Sequence, residues 1–122
     1  MWKKISLILF ATVYGVAGIN HLVNPETYLE LIPEWLGDRN IINVLAGIVE
    51  ILVAVLAIFP KTRKISGYLA MAMLIAFVIS HVYFIQIGHC AGDMCLDPWI
   101  GWVRLVVIHP LLIYWAYSIS KA

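Results

Sequence analysis

Four apolar segments, each close to twenty residues long, decide what this chain can become. They run over 5–22, 41–59, 65–87 and 99–118. At a rise of ~1.5 Å per residue, ~20 residues of helix cross a ~30 Å hydrocarbon core. Lipid offers no partner for backbone N–H and C=O groups, so segments of this length must satisfy themselves as helices. The composition agrees. The 122 residues are 63% hydrophobic and 12% charged, against roughly half apolar and a quarter charged for a soluble domain. The expected fold is a single all-α domain over residues 1–122, an antiparallel four-helix transmembrane bundle.

The first segment follows Lys3 and Lys4, as a signal peptide would, but no small-x-small cleavage pattern follows it. We expect it to be retained as a helix. Lys3, Lys4, Lys61, Arg63, Lys64 and Lys121 fall on one side of such a bundle. Glu26, Glu30, Glu34, Asp38, Asp93 and Asp97 fall on the other, with Arg39 the only base. The positive-inside rule then puts both termini and the 60–64 turn "PKTRK" in the cytoplasm, in a multi-pass protein of the cell membrane. Trp2 and Trp115 fall near the inner interface, and Trp35, Trp99 and Trp102 near the outer one. In the outer loop 23–40, Asn24-Pro25-Glu26-Thr27 predicts a short interfacial helix with Asn24 as its cap. No basic patch interleaved with aromatics and no Gly-rich phosphate loop occurs, so nucleic acid is not an expected partner.

Polar side chains inside the spans cost most and so carry most information. A charge at the centre of a span costs ~2.5–3.5 kcal/mol on insertion scales. Glu50 and Arg104 are the charged residues, and Asn43, His21, His81 and His109 join them. Counted inward at ~1.5 Å per residue, His21 and Asn43 fall near the outer boundary, Arg104 ~7 Å in, His81 ~9 Å, and Glu50 and His109 ~13 Å. The polar set therefore occupies the outward-facing half. Tyr14, Gly18 and His21 share one helix face, as do Asn43, Gly47, Glu50 and Ala54, and Leu74, Phe77, His81 and Gly88. His109 stands five residues from Arg104, ~140° round an ideal helix.

Three readings of this set stay open. Glu50 and Arg104 form a structural ion pair that fixes helix packing. Alternatively, His21, Asn43, Glu50, His81, Arg104 and His109 line a pocket for a small amphipathic ligand, a quinone or a lipid. The third is a proton path. Cys90 and Cys95 lie in the loop "GHCAGDMCLDPWIG". Five residues apart in a Gly-containing turn, they can reach disulfide geometry. We expect a structural cystine on the oxidising side. A metal set of His89, Cys90, Asp93 and Cys95, and a working redox pair, are the alternatives, and no metal is expected.

At "GINHLVNPETYLELIPEWL" the chain resembles the DoxX-like family of small four-helix membrane proteins through Gly18, His21, Pro25, Tyr28 and Pro33. Gly47 and Glu50 before "PKTRK", His81 in "SHVYF", and Arg104 with the Trp115-Ala116-Tyr117 end continue the likeness. The resemblance implies a four-helix membrane fold. Some members are linked to thiosulfate:quinone oxidoreduction, and animal relatives assist receptor assembly. The expected function is an accessory or binding protein acting on an amphipathic ligand or a membrane-protein partner, and not an enzyme on its own. A quinone-coupled thiol oxidoreductase subunit using Cys90 and Cys95, and an oligomeric transporter or proton path, are the alternatives. A homo-oligomer is left open.

Overall fold

The structure is a computed structural model and describes residues 1–91 and 94–122. The described residues are overwhelmingly helical, and four helices among them are long and apolar enough to cross a membrane. Helix α1 spans Trp2–Val23, α2 Glu26–Leu29, α3 Arg39–Ile58 and α4 Arg63–Gln86. A two-residue ladder, β1 Cys90–Ala91 with β2 Met94–Cys95, follows. The last span is α5 Pro98–Val103, a π-helical turn Arg104–Ile108, and α6 His109–Ser120. The first three spans begin two to three residues before the sequence-based bounds, and of these three starts only that of α3 carries a side-chain cap.

Those ends have local causes. The first N–H groups of a helix have no intrahelical acceptor. Asp38 accepts from Asn40 N and Ile41 N at 2.9 and 3.3 Å and so starts α3. The last carbonyls of α3 find donors in the turn that follows. Thr62 Oγ1 donates to Leu56 O at 2.7 Å, and Arg63 Nε donates to Ala57 O at 2.9 Å. The basic "PKTRK" turn is thus also a helix C-cap. Asn24 does not cap α2. Its amide donates to Asn20 Oδ1 at 2.8 Å, and Pro25 precedes the helix with no side-chain cap.

Helix α1 packs on α3, α3 on α4, and α4 on α6. Phe10, Tyr14, Val53, Ala57, Ala70, Leu74, Ala116 and Ile119 form the core between them. The faces turned away carry Ile8, Val16, Leu45, Ile48, Ile75 and Leu111, all more than half exposed or close to it. Such residues suit lipid, and lipid is as apolar as they are. Helix association must then come from close packing and hydrogen bonds more than from burial. Gly18 and Gly47 supply the close packing. A Cβ on Gly18 would stand 2.7 Å from Gly47 O, and one on Gly47 2.9 Å from Gly18 O. Ser66 Oγ supplies a hydrogen bond between helices, donating to Val53 O at 2.6 Å. Trp115 ties α6 to α1: it lies edge-on to Phe10, and its Nε1 donates to Ser6 Oγ at 2.8 Å.

The π turn follows from Pro110. Proline has no N–H for the carbonyl four residues back, and its ring crowds that carbonyl. One wider turn relieves both, with His109 N bonding Arg104 O. The wide turn also narrows the ~140° offset expected between Arg104 and His109 on an ideal helix. Both side chains reach α4. The Arg104 guanidinium lies 5.1 Å from the centroid of the Phe84 ring, and His109 Nε2 bonds Leu74 O.

Candidate functional site

A cavity of about 430 Å3 opens at the end of the helices away from Trp2 and Lys121. That size is within the range of small-molecule sites. His21 on α1 and Ile42, Ala46 and Glu50 on α3 form one wall. Ala76, Phe77, Ser80 and His81 on α4 form the next, and Arg104 stands at the π turn. Tyr28, Leu31, Ile32 and Leu36 of the α1–α3 connection close it.

That connection is fastened at two points. Tyr28 stacks on His21 with ring centroids 3.7 Å apart, and its hydroxyl accepts from Asn20 Nδ2 at 2.6 Å. Arg39 Nε donates to Ile32 O at 2.6 Å, and its Nη2 donates to Tyr83 Oη at 3.3 Å. Arg39 also lies 3.8 and 3.7 Å from Glu30 and Glu34, but those carboxylates are exposed, and such pairs contribute little. The hydrogen bonds from Arg39 are what join the loop to α4.

His21, Asn43 and Glu50 form a buried cluster at 8%, 1% and 6% exposure. Asn43 Nδ2 donates to His21 O at 2.7 Å, and His21 Nδ1 meets Asn43 Oδ1 at 2.7 Å. His21 O needs that donor. Its helical partner would be the N–H of residue 25, which is a proline. His21 Nε2 lies 3.3 Å from Glu50 Oε2, close but not aligned as a hydrogen bond.

The Glu50–Arg104 ion pair, one of the three readings, does not form among the described residues; the partner of Glu50 is His21. Helix direction is the reason. Every Cα–Cβ bond leans toward its own helix N-terminus. The N-terminal end of α3 is at the cavity, so Glu50 leans toward Asn43. The N-terminal end of α1 is at the opposite end, so His21 leans toward Glu50. Two residues placed ~13 Å and near 0 Å deep by counting thus meet. Arg104 has no carboxylate partner among the described residues.

Of the six candidate pocket residues, His21, Glu50, His81 and Arg104 line the cavity. Asn43 sits behind His21 and holds it rather than facing the cavity. His109 is also outside the lining. It is 3% exposed, with its ring edge-on to His81 at 4.6 Å between centroids. Tyr28, Phe77 and Ser80 line the cavity beyond those six, and Arg39 ties its rim together, roles that charge and spacing alone do not reveal. The Asp-Arg-Asn run ahead of an apolar span was the available signal for Asp38 and Arg39.

Cys90 and Cys95 are at disulfide distance, with Cα atoms 4.1 Å apart and facing each other in the ladder. Neither lines the cavity. His89 packs its buried ring against Phe84 and Gly101, at a left-handed φ of 64°. Asp93, named in the alternative metal set, lies outside the described residues. Among the described residues no group of three or more His, Cys, Asp or Glu side chains is placed to hold a metal ion.

A family model described as "Domain of unknown function (DUF8561)" matches residues 10–120, and the chain belongs to that family. No curated protein matches the chain, and no solved structure does.

Proposed function

For this member of the DUF8561 family we propose a multi-pass protein of the cytoplasmic membrane that binds a small amphipathic molecule in the outward-facing half of an antiparallel four-helix bundle. Both termini and the "PKTRK" turn are on the cytoplasmic side. The lysine and arginine distribution supports that orientation, with six bases at one end and six acids at the other. The likeness to the DoxX-like family, carried by Gly18, His21, Pro25, Tyr28 and Pro33, supports the same four-helix membrane architecture. A quinone or a lipid is the kind of ligand that reaches such a site from the bilayer.

The observation that carries the binding reading is the placement of costly polar groups on one cavity. An amphipathic pocket needs apolar walls and a few convergent polar groups. Ile32, Leu36, Ile42 and Phe77 are the walls, and Glu50, His21, His81 and Arg104 are the polar groups. A purely structural role would let Arg104 find an acid, and no acid among the described residues meets it. The thiol-oxidoreductase reading draws no such support, since neither cysteine touches the cavity.

Native mass spectrometry of protein released from a mild neutral detergent tests the reading. A co-purifying amphiphile is expected on the wild-type protein. Filling the cavity with Ala76→Phe is expected to remove it while the protein stays folded. An adduct that persists unchanged in Ala76→Phe would sink the proposal.

A further inference from the structure

The hydrogen bonds around His21 decide where its protons are. A backbone carbonyl can only accept, so the atom of Asn43 that meets His21 O must be the amide nitrogen. The other end of that amide, the oxygen, therefore faces His21 Nδ1. Nδ1 must then carry hydrogen, which leaves Nε2 to face Glu50. A neutral His21 with an ionised Glu50 would set a carboxylate against a nitrogen lone pair in a buried site. That is the costliest arrangement. The remaining ones are a protonated Glu50 beside neutral His21, or a carboxylate beside an imidazolium. Both have zero net charge, and one further proton makes the pair positive.

The charge of the cavity is then set by the opposite wall. Arg104 keeps its proton in proteins. It lines the cavity, rests over the Phe84 ring at 5.1 Å, and forms no ion pair with a carboxylate among the described residues. His81 is the other titratable group on that wall and is neutral or cationic, never anionic. Tyr28 has its hydroxyl hydrogen-bonded to Asn20.

We infer that the cavity takes a monoanionic amphiphile, with a carboxylate or phosphodiester head on Arg104 and an apolar body against Leu31, Ile42 and Phe77. The inference rests on the reading of this cavity as a ligand site and adds the charge of the ligand to it. A planar guanidinium matches either oxyanion with two parallel N–H donors, and such charge-assisted bonds are about twice as strong as neutral ones. The neutral His21–Glu50 pair lets an anion enter without repulsion from the one buried carboxyl group.

Four probes in a neutral maltoside detergent test it: dodecanoate, dodecanol, lauroyl lysophosphatidylglycerol and monolaurin. Affinities are read by native mass spectrometry and by the shift in thermal unfolding. Each anionic probe is expected to bind at least about tenfold more tightly than its uncharged counterpart. Arg104→Gln is expected to erase the difference, and Arg104→Lys to keep part of it. Preference for dodecanoate over the lysolipid assigns a free long-chain carboxylate, and the reverse assigns a phospholipid; either supports the anion. Equal binding of charged and uncharged probes to the wild-type protein overturns the inference alone, without need of a variant. Binding of none of the four overturns the pocket reading and the inference together.

Discussion

Asn43→Leu removes one side chain and leaves two buried polar groups without partners. His21 O loses its donor and cannot turn to its own helix, because residue 25 is Pro25. The His21 Nδ1 hydrogen loses its acceptor, and at 8% exposure little water reaches it. Side-chain hydrogen bonds between membrane helices average ~0.6 kcal/mol and reach ~1.7. A buried group left unpaired costs about 1–3 kcal/mol. Two such groups, offset in part by the apolar contact of the new leucine, set the expected loss at about 2–4 kcal/mol. That is a large share of the ~5–15 kcal/mol typical of a folded domain. Reversible unfolding in mixed micelles measures it. A double-mutant cycle with His21→Leu isolates the Nδ1–Oδ1 bond, for which a coupling of ~0.6–1.7 kcal/mol is expected. A loss below ~0.5 kcal/mol would refute both bonds, and additive single mutants would refute the Nδ1–Oδ1 bond and the tautomer inferred from it.

Gly18→Leu puts a side chain where a Cβ alone would stand 2.7 Å from Gly47 O and Ile51 Cγ1, so α1 and α3 should separate; at least ~1–3 kcal/mol of stability should be lost in the same unfolding assay. Pro110→Ala restores an N–H and removes the cause of the π turn. The turn should relax and carry Arg104 off its present face, weakening dodecanoate binding while thermal unfolding changes little; unchanged binding would count against that role for the proline. Cys90→Ser with Cys95→Ser opens a short loop and should cost up to about 2 kcal/mol of stability. Probe affinity should be unaffected, since neither residue reaches the cavity, and a large drop would revive a role for the thiols. A phosphatase reporter active only outside the cytoplasm should be silent when fused after Lys121 and active when inserted after Gly37; the opposite pattern would invert the orientation.

The four spans were legible because a bilayer enforces one length and one kind of residue, and both can be counted along a chain. Two of the three helix stripes were legible for a similar reason, while in the third Phe77 and His81 are only half-buried and Gly88 lies exposed beyond the end of α4. Tyr14, Gly18 and His21 on α1, and Asn43, Gly47, Glu50 and Ala54 on α3, recur at helical spacing, and all are buried. The disulfide partners were legible because two cysteines in one short loop leave little choice. What spacing could not decide was which polar group meets which. Opposite charge offers Arg104 as a partner for Glu50, yet His21 takes it, because side chains lean toward the N-termini of helices whose contacts exist only in three dimensions. The same holds at the fourth span. A count of five residues puts Arg104 and His109 on different faces of a regular helix, and only the folded backbone, widened by one turn ahead of Pro110, turns both toward α4. Spacing alone offers Asn43 as one of six pocket-lining polar residues. Its role depends on a carbonyl from another helix that a proline leaves without a donor, a coincidence of two distant segments that tertiary structure alone creates.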